Sequence, residues 1–171
     1  DGFIEALIPN MALIRRRIRD KNLVFKFARV GRSSRTDIAV AYMCGRVNEK
    51  DIKKVMDNIN SMDVDSLTMN QESLAEMLFP GKWINPFPKY KYTERPDTAA
   101  ASLLEGSIVI LVDNSPAVMI LPTSLFGIVE DANDYYFPPV TGTYLRLTRM
   151  LTNILAVFIT PLFLLLIENP D

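Results

Sequence analysis

The chain has 171 residues, of which 49% are hydrophobic and 23% are charged, and its formal net charge is −1. That composition excludes a disordered chain and is sufficient for one packed domain. Histidine is absent and Cys44 is the only cysteine, which excludes a histidine-based triad, a histidine zinc ligand and an internal disulfide within these residues. Because Cys44 ends an apolar run, we expect it to be a small buried side chain.

The two parts of the chain differ in charge. Residues 1–50 carry eleven Lys or Arg against five Asp or Glu, and residues 51–171 carry eight against fifteen. This asymmetry predicts a polarised molecule that docks on itself or on a partner, although two ordinary solvated surfaces would give the same counts. Nucleic acid is not an expected partner, because the basic run lacks interleaved aromatic residues.

Apolar periodicity predicts an α/β fold, in which a mixed sheet is packed against helices. Pro9 is expected to kink or divide the first helix, and Asn48 is a suitable N-cap for the second. In chain order the predicted elements are a helix over 3–19, strands over 23–30 and 38–44, a helix from 49 to about 62, a short helix starting at 70 or 73, a proline-rich and aromatic connector over 80–96, a helix over 97–105 and a hairpin of strands 107–112 and 117–122.

Basic side chains crowd the end of the first predicted helix. Cations suit a helix C-terminus and are commonly solvated there, but contact with a partner is the alternative. We hypothesise that the arginines of one subunit face an acidic patch of the next. The candidate interface residues are Arg15, Arg16, Arg17, Arg19, Arg35, Glu130, Asp131 and Asp134.

Residues 150–167 form an 18-residue run without a charge. As a helix they would reach roughly 27 Å, close to the roughly 30 Å of a bilayer core, so they predict a membrane span rather than a buried helix of a globular core. Arg146 and Arg149 precede the run, which favours a cytoplasmic location for residues 1–140. Residues 141–171 are then the juxtamembrane segment and span, with Asn153 and Thr160 as candidate pore or helix-packing residues.

Catalytic chemistry is not predicted. The glycines are isolated, so a phosphate-binding loop is not indicated, and the paired carboxylates stand in polar turns rather than in an apolar pocket that would raise a carboxyl pKa. We therefore expect a protein that is not an enzyme and needs no cofactor.

Five segments of the chain together resemble the GerA family, the A subunits of bacterial spore germinant receptors and their sporulation paralogues. In the family's usual wording, Gly stands where this chain has Asn114, and Arg commonly stands where it has Ser33 and Ser107. The segments are NMALIRRRIRD (10–20), GRSSRTDIAVAYMCG (31–45), TERPD (93–97), LLEGSIVILVDNSP (103–116) and YLRLTRML (144–151).

The resemblance implies the second half of an N-terminal soluble region followed by the first membrane helix, within a longer polytopic protein of the spore inner membrane. It implies a subunit that works with B and C subunits, forms a homo-oligomeric ring and couples nutrient sensing to ion release. A sporulation paralogue that amplifies germination is the alternative within the family.

A small-ligand module is the alternative of a different class. Charged residues beside a predicted helix start could hold an amino acid or a sugar, since backbone N–H groups there favour a carboxylate. A buried salt-bridge network would explain the same residues. The candidate ligand-binding or coupling residues are Thr36, Asp37, Glu94 and Arg95.

Overall fold

The computed structural model describes residues 2–65, 71–79, 89–122 and 139–168. They fall into two units, residues 1–124 and residues 125–171, each described here by itself. The first unit contains the helices α1 (Leu7–Arg17), α2 (Glu49–Asn60), α3 (Gln71–Leu78) and α4 (Pro96–Leu104) and the strands β1 (Leu23–Val30), β2 (Thr36–Met43), β3 (Lys91–Thr93), β4 (Ile108–Val112) and β5 (Val118–Leu121); the second contains the helix α5 (Pro139–Glu168).

The five strands form one sheet in the order β1-β2-β4-β5-β3. Strands β1 and β2 form one antiparallel hairpin and β4 and β5 another, and the pairings β2–β4 and β3–β5 are antiparallel as well. The predicted α/β class is confirmed. All of its pairings are antiparallel, whereas a mixed sheet was expected from the alternation of strands and helices in the chain. Two of the pairings are hairpins, whose strands are necessarily antiparallel.

Side chains of β2 show how the sheet supports two cores. Ala39 and Ala41 point to the face covered by α1 and α4, and Ile38 and Val40 point to the face covered by α2 and α3. All four are 0% exposed. The small alanines lie in the same cluster as Ala99 of α4, so backbone and helix approach closely on that face.

Helix α1 is shorter than predicted. It begins at Leu7 rather than at residue 3, and Pro9 lies in its first turn without dividing it. Proline is tolerated there because the first N–H groups of a helix have no partner within the helix. Phe3 is nevertheless buried, in the core beneath α1 and α4, which explains why its spacing resembled that of a helix.

Several local predictions are confirmed and one is wrong. Asn48 caps α2 by accepting a hydrogen bond from the backbone N–H of Lys50, and the hairpin of β4 and β5 forms as expected. Cys44 is exposed rather than buried, because β2 ends at Met43 and the chain turns there. Residues 80–88 of the proline-rich connector lie outside the described residues, and its end forms β3.

In the second unit, the residues from Val140 to Glu168 form a helix long and apolar enough to cross a membrane. Pro161 lies inside this helix, where its missing N–H leaves a backbone carbonyl one turn earlier without its usual donor. Asn153 and Thr160 are about two turns apart and share one side of the helix.

Core packing in the sheet predicts a large difference between two leucines. Leu111 of β4 is 1% exposed and Leu104 at the end of α4 is 41% exposed. Leu111→Ala should lower the free energy of unfolding by about 2–5 kcal/mol because it leaves a cavity, and Leu104→Ala by about 1 kcal/mol or less. Urea unfolding followed by circular dichroism in detergent measures both, and equal losses would contradict this account of the core.

Candidate functional site

The candidate ligand residues lie along one end of the sheet, where β2 and β5 begin and β4 and β3 end. Residues 2–6, here called the N-terminal strap, cross this end before α1 begins. The backbone N–H of Phe3 donates to the carbonyl of Glu94 at 2.9 Å, and the N–H of Asn114 donates to the carbonyl of Glu5 at 2.8 Å. The strap therefore ties the end of β3 to the turn between β4 and β5.

A distant carboxylate caps helix α1. The residue before the helix, Ala6, has no side chain that could cap it. Instead the N–H of Leu7 donates at 3.0 Å to Oδ1 of Asp113, 106 residues later in the chain. Asp113 itself donates its N–H to the carbonyl of Asp37 at 3.0 Å. A negative charge at a helix N-terminus is favourable, so this contact stabilises both α1 and the β4–β5 turn.

Asn10 fixes the strap from inside. Its side chain is 1% exposed although it is polar. Its Oδ1 accepts from the N–H of Ile4 at 2.9 Å and its Nδ2 donates to the carbonyl of Ile4 at 2.5 Å. A buried amide that is paired in both directions holds one backbone geometry, because rotating it would leave a buried polar group without a partner.

Asn114 adopts a left-handed backbone conformation, with φ of 61°. Glycine reaches that region freely, and Asn is one of the few other residues that visit it at low cost. The position where the resembling family usually has Gly is thus a turn position that accepts either residue.

The four candidate ligand residues do not come together. Asp37 forms an ion pair with Arg29 at 2.7 Å, and Arg95 forms one with Asp97 at 2.8 Å. Two strands, β4 and β5, separate β2 from β3, so the two pairs are three strand spacings, or about 14 Å, apart. Among the described residues they do not line one cleft.

Local contacts also account for three of these residues: Thr36, Asp37 and Arg95. The hydrogen bond to Asp37, followed by the charge of that carboxylate, raises the pKa of the Arg29 guanidinium. The carboxylate of Asp97 accepts from the N–H of Thr98 at 3.0 Å, so the anion-binding position at the start of α4 is occupied by the chain itself. Thr36 donates its hydroxyl to Oγ of Ser34 at 3.1 Å. The salt bridges are surface ones rather than the buried network considered above.

Of the predicted interface arginines, Arg15 has an internal role. Its guanidinium donates to the carbonyls of Asp20 and Leu23, at 3.0 and 2.7 Å, and lies over the ring of Phe25. Arg16, Arg17 and Arg19 are exposed at the same end of α1. Arg35, also exposed, lies beyond the far end of β1, about 23 Å away along the strand. The predicted acidic partners lie outside the described residues: Glu130, Asp131 and Asp134.

Comparison with known proteins identifies the family. The profile of the family described as Bacillus/Clostridium GerA spore germination protein matches residues 1–171. The chain belongs to the GerA family. Sequence reasoning had named this family from its motifs, and the match confirms it.

Curated relatives of this GerA-family chain are much longer than it is. Stage V sporulation protein AF of Bacillus subtilis is 41% identical over 171 residues, which is 100% of this chain and 34% of that protein. Spore germination protein KA of the same organism is 35% identical over 150 residues, 88% of this chain and 27% of that protein. The chain thus spans about a third of the length of the curated relatives it matches.

A crystal structure supports the fold of the GerA-family soluble unit. The N-terminal domain of the A subunit of the Bacillus megaterium spore germinant receptor GerK3 matches with a TM-score of 0.56 and 32% identity, covering 72% of this chain and 96% of that one. Two site residues escaped sequence reasoning. Asn10 and Asp113 both lie within the motifs that resemble the family, Asp113 between the two strands of the predicted hairpin, but no local pattern shows that either one fixes the strap or α1.

The cap of α1 predicts a selective loss of protection. Asp113→Ala should lower the free energy of unfolding by about 0.5–2 kcal/mol and speed hydrogen exchange at the first amides of α1, whereas Asp113→Asn keeps an acceptor oxygen and should lose less. Asp63→Ala is the control, because its side chain is 70% exposed in a surface pair with Arg32. Unchanged exchange at Leu7 in Asp113→Ala would show that the cap is dispensable.

Proposed function

We propose that the protein containing this chain is a non-enzymatic membrane subunit of a spore germination receptor or ion channel, which couples nutrient sensing to ion release. The observation that carries this proposal is the order of the two units: a soluble unit like the domain of a germinant receptor A subunit, followed by a helix fit to cross a membrane. The proposed location is the spore inner membrane, with B and C subunits as partners.

The charges of α5 support a cytoplasmic location for the first unit. Arg146 and Arg149 lie in the N-terminal part of the helix, before the uncharged run 150–167, and Glu168 is its last residue. Lys and Arg in short flanks favour the cytoplasmic side, which supports the proposed cytoplasmic location of residues 1–140.

A sporulation paralogue that amplifies germination is a second candidate. The identity to stage V sporulation protein AF, 41%, exceeds the 35% to spore germination protein KA and the 32% to spore germination protein B1. Paralogue and receptor subunit share the proposed membrane setting. They differ in whether the protein responds to a nutrient by itself or strengthens a response that another receptor begins.

Ion conduction is tested with the full-length protein in liposomes. Suppose that the side of α5 that carries Asn153 and Thr160 lines a pore. Asn153→Asp should then shift the reversal potential towards the equilibrium potential of the cation, because a fixed negative charge attracts cations. Reversal potentials under a salt gradient measure the shift.

Leu155→Asp is the matched control for that experiment, since it places the same carboxylate on the opposite side of the same helix. It should leave the selectivity unchanged. Equal shifts of the reversal potential in both variants would contradict the hypothesis that this side of α5 lines the pore. Absence of flux from correctly inserted protein would contradict a channel made by this subunit alone and would favour a role that requires its partners.

The subunit interface is tested by charge reversal at three exposed arginines at the end of α1, of which Arg17 also donates to the carbonyl of Leu13 at 3.4 Å. Changing Arg16, Arg17 and Arg19 together to Glu should abolish oligomers of the full-length protein, because the new glutamates would face the acidic patch of the next subunit and repel it. Changing Glu130, Asp131 and Asp134 to Lys in the same chain should restore them. Mass measurement in detergent reports the assembly.

Lys54→Glu is the control. It reverses the charge of an exposed residue on α2, far from these residues along the chain. It should leave the oligomers intact. If the triple reversal also assembles normally, the arginines are ordinary solvated side chains and the interface lies elsewhere.

A further inference from the structure

Helix α5 carries a line of polar side chains on one side. At about 100° per residue, Arg146, Arg149 and Thr160 all lie within about 40° of Asn153 around the helix axis. These four residues are here called the polar stripe. From residue 151 onwards the opposite side carries only large apolar side chains, among them Leu151, Leu155, Phe158, Leu162 and Leu166. One side of α5 therefore suits lipid and the other does not.

A backbone group adds to the polar stripe. Pro161 has no N–H, so the carbonyl of Val157, one turn earlier, lacks its usual donor. Val157 lies about 40° from Asn153 around the helix and near the middle of the uncharged run 150–167. A carbonyl without a donor is costly at this depth, because hydrocarbon cannot donate a hydrogen bond.

The polar side chains of α5 differ in whether the helix itself satisfies them. Thr148 and Thr152 donate their hydroxyls to the carbonyls one turn earlier, both at 2.8 Å. Within the described part of the chain, the side chains of Asn153 and Thr160 have no such partner. Together with the carbonyl of Val157, three groups spread over about 10 Å of one side need partners from outside the helix.

The polar stripe ends before the helix does. Leu164 and Ile167 continue the same side through the last turns of α5, and both are apolar. Water along this side would have to pass them, whereas a packed helix accommodates polar and apolar contacts together. This distribution favours contact with protein over contact with water.

A second copy of α5 cannot supply the missing partners. Pairing two copies through their polar stripes would set Arg146 and Arg149 of one against the same arginines of the other. At the depth of Val157, the remaining sides of α5 offer only apolar side chains and the hydroxyl of Thr152, which its own helix already binds. The chain spans 34% of stage V sporulation protein AF, so a protein of that length has room for other membrane helices.

We propose that the polar stripe of α5 packs against a different membrane helix of the same longer protein. That helix presents hydrogen-bonding side chains, such as serine, threonine, asparagine or tyrosine, to Asn153, Thr160 and the carbonyl of Val157. The leucine side of α5 then faces lipid. The proposal rests on α5 crossing the membrane, as the proposed function does, but not on ion conduction, and it assigns this side to helix packing rather than to a pore.

A diazirine amino acid, which links to its neighbours on illumination, tests the contact in the full-length protein in liposomes. Placed at Val157, it should link to another membrane segment of the same chain, identified by mass spectrometry of the joined peptides. Placed at Leu155, the matched control about 160° away around the helix, it should link to lipid.

The products at the two positions separate the possible failures. Addition of water or lipid at residue 157, or a link from it to a second copy of the protein, would overturn the proposal, and water would favour a pore instead. If residue 155 also failed to link to lipid, α5 would not cross the membrane, and the proposed membrane role would fail with it.

Thermal unfolding of the full-length protein in detergent checks the hydrogen bonds themselves. Asn153→Leu should lower the midpoint, because a polar group of the neighbouring helix is left without its partner. Thr152→Val should leave the midpoint unchanged, since this hydroxyl binds only its own helix. Equal midpoints for the two variants would contradict the proposed contact.

Discussion

The hydrogen bond from the N–H of Leu7 to the Asp113 carboxylate ties the start of α1 to the β4–β5 turn of the first unit. Helix α1 covers one face of the sheet, yet its own sequence offers no cap, and its first turn contains Pro9. The β4–β5 turn supplies the missing acceptor, and the same turn receives the strap through Asn114 and Glu5. One turn therefore positions the first helix, the strap and the end of the central strands.

Those contacts mark what the sequence could predict. Elements that depend on local pattern were predicted close to their observed bounds. They include β1, the helix α4 that begins at Pro96, and the β4–β5 hairpin. The start of α1 was predicted too early because Phe3 of the strap is buried in the core beneath α1 and α4, and its spacing resembles that of the helix. Asp113 and Asn10 could not have been assigned, since their partners depend on tertiary structure and carry no mark in the sequence.

The same distinction explains the candidate site. Thr36, Asp37, Glu94 and Arg95 were grouped by chemistry, and all four do lie at one end of the sheet. Strand order separates them, however, and strand order is set by long connections that a single sequence does not reveal. Two of the three charged residues then pair with a neighbour, Asp37 with Arg29 and Arg95 with Asp97, so these contacts serve the local structure of the sheet end.

Arg15 shows that the residues of a basic cluster must be considered one by one, because some of them make contacts within the folded unit. Its neighbours Arg16, Arg17 and Arg19 remain available to a partner, but Arg15 occupies the carbonyl of Leu23 and lies over Phe25. Its bond to Leu23 ties the end of α1 to the start of β1. A charge that counted towards a subunit interface in the sequence therefore holds two neighbouring elements of the folded unit together, and the exposed arginines beside it carry the proposed contact with the next subunit.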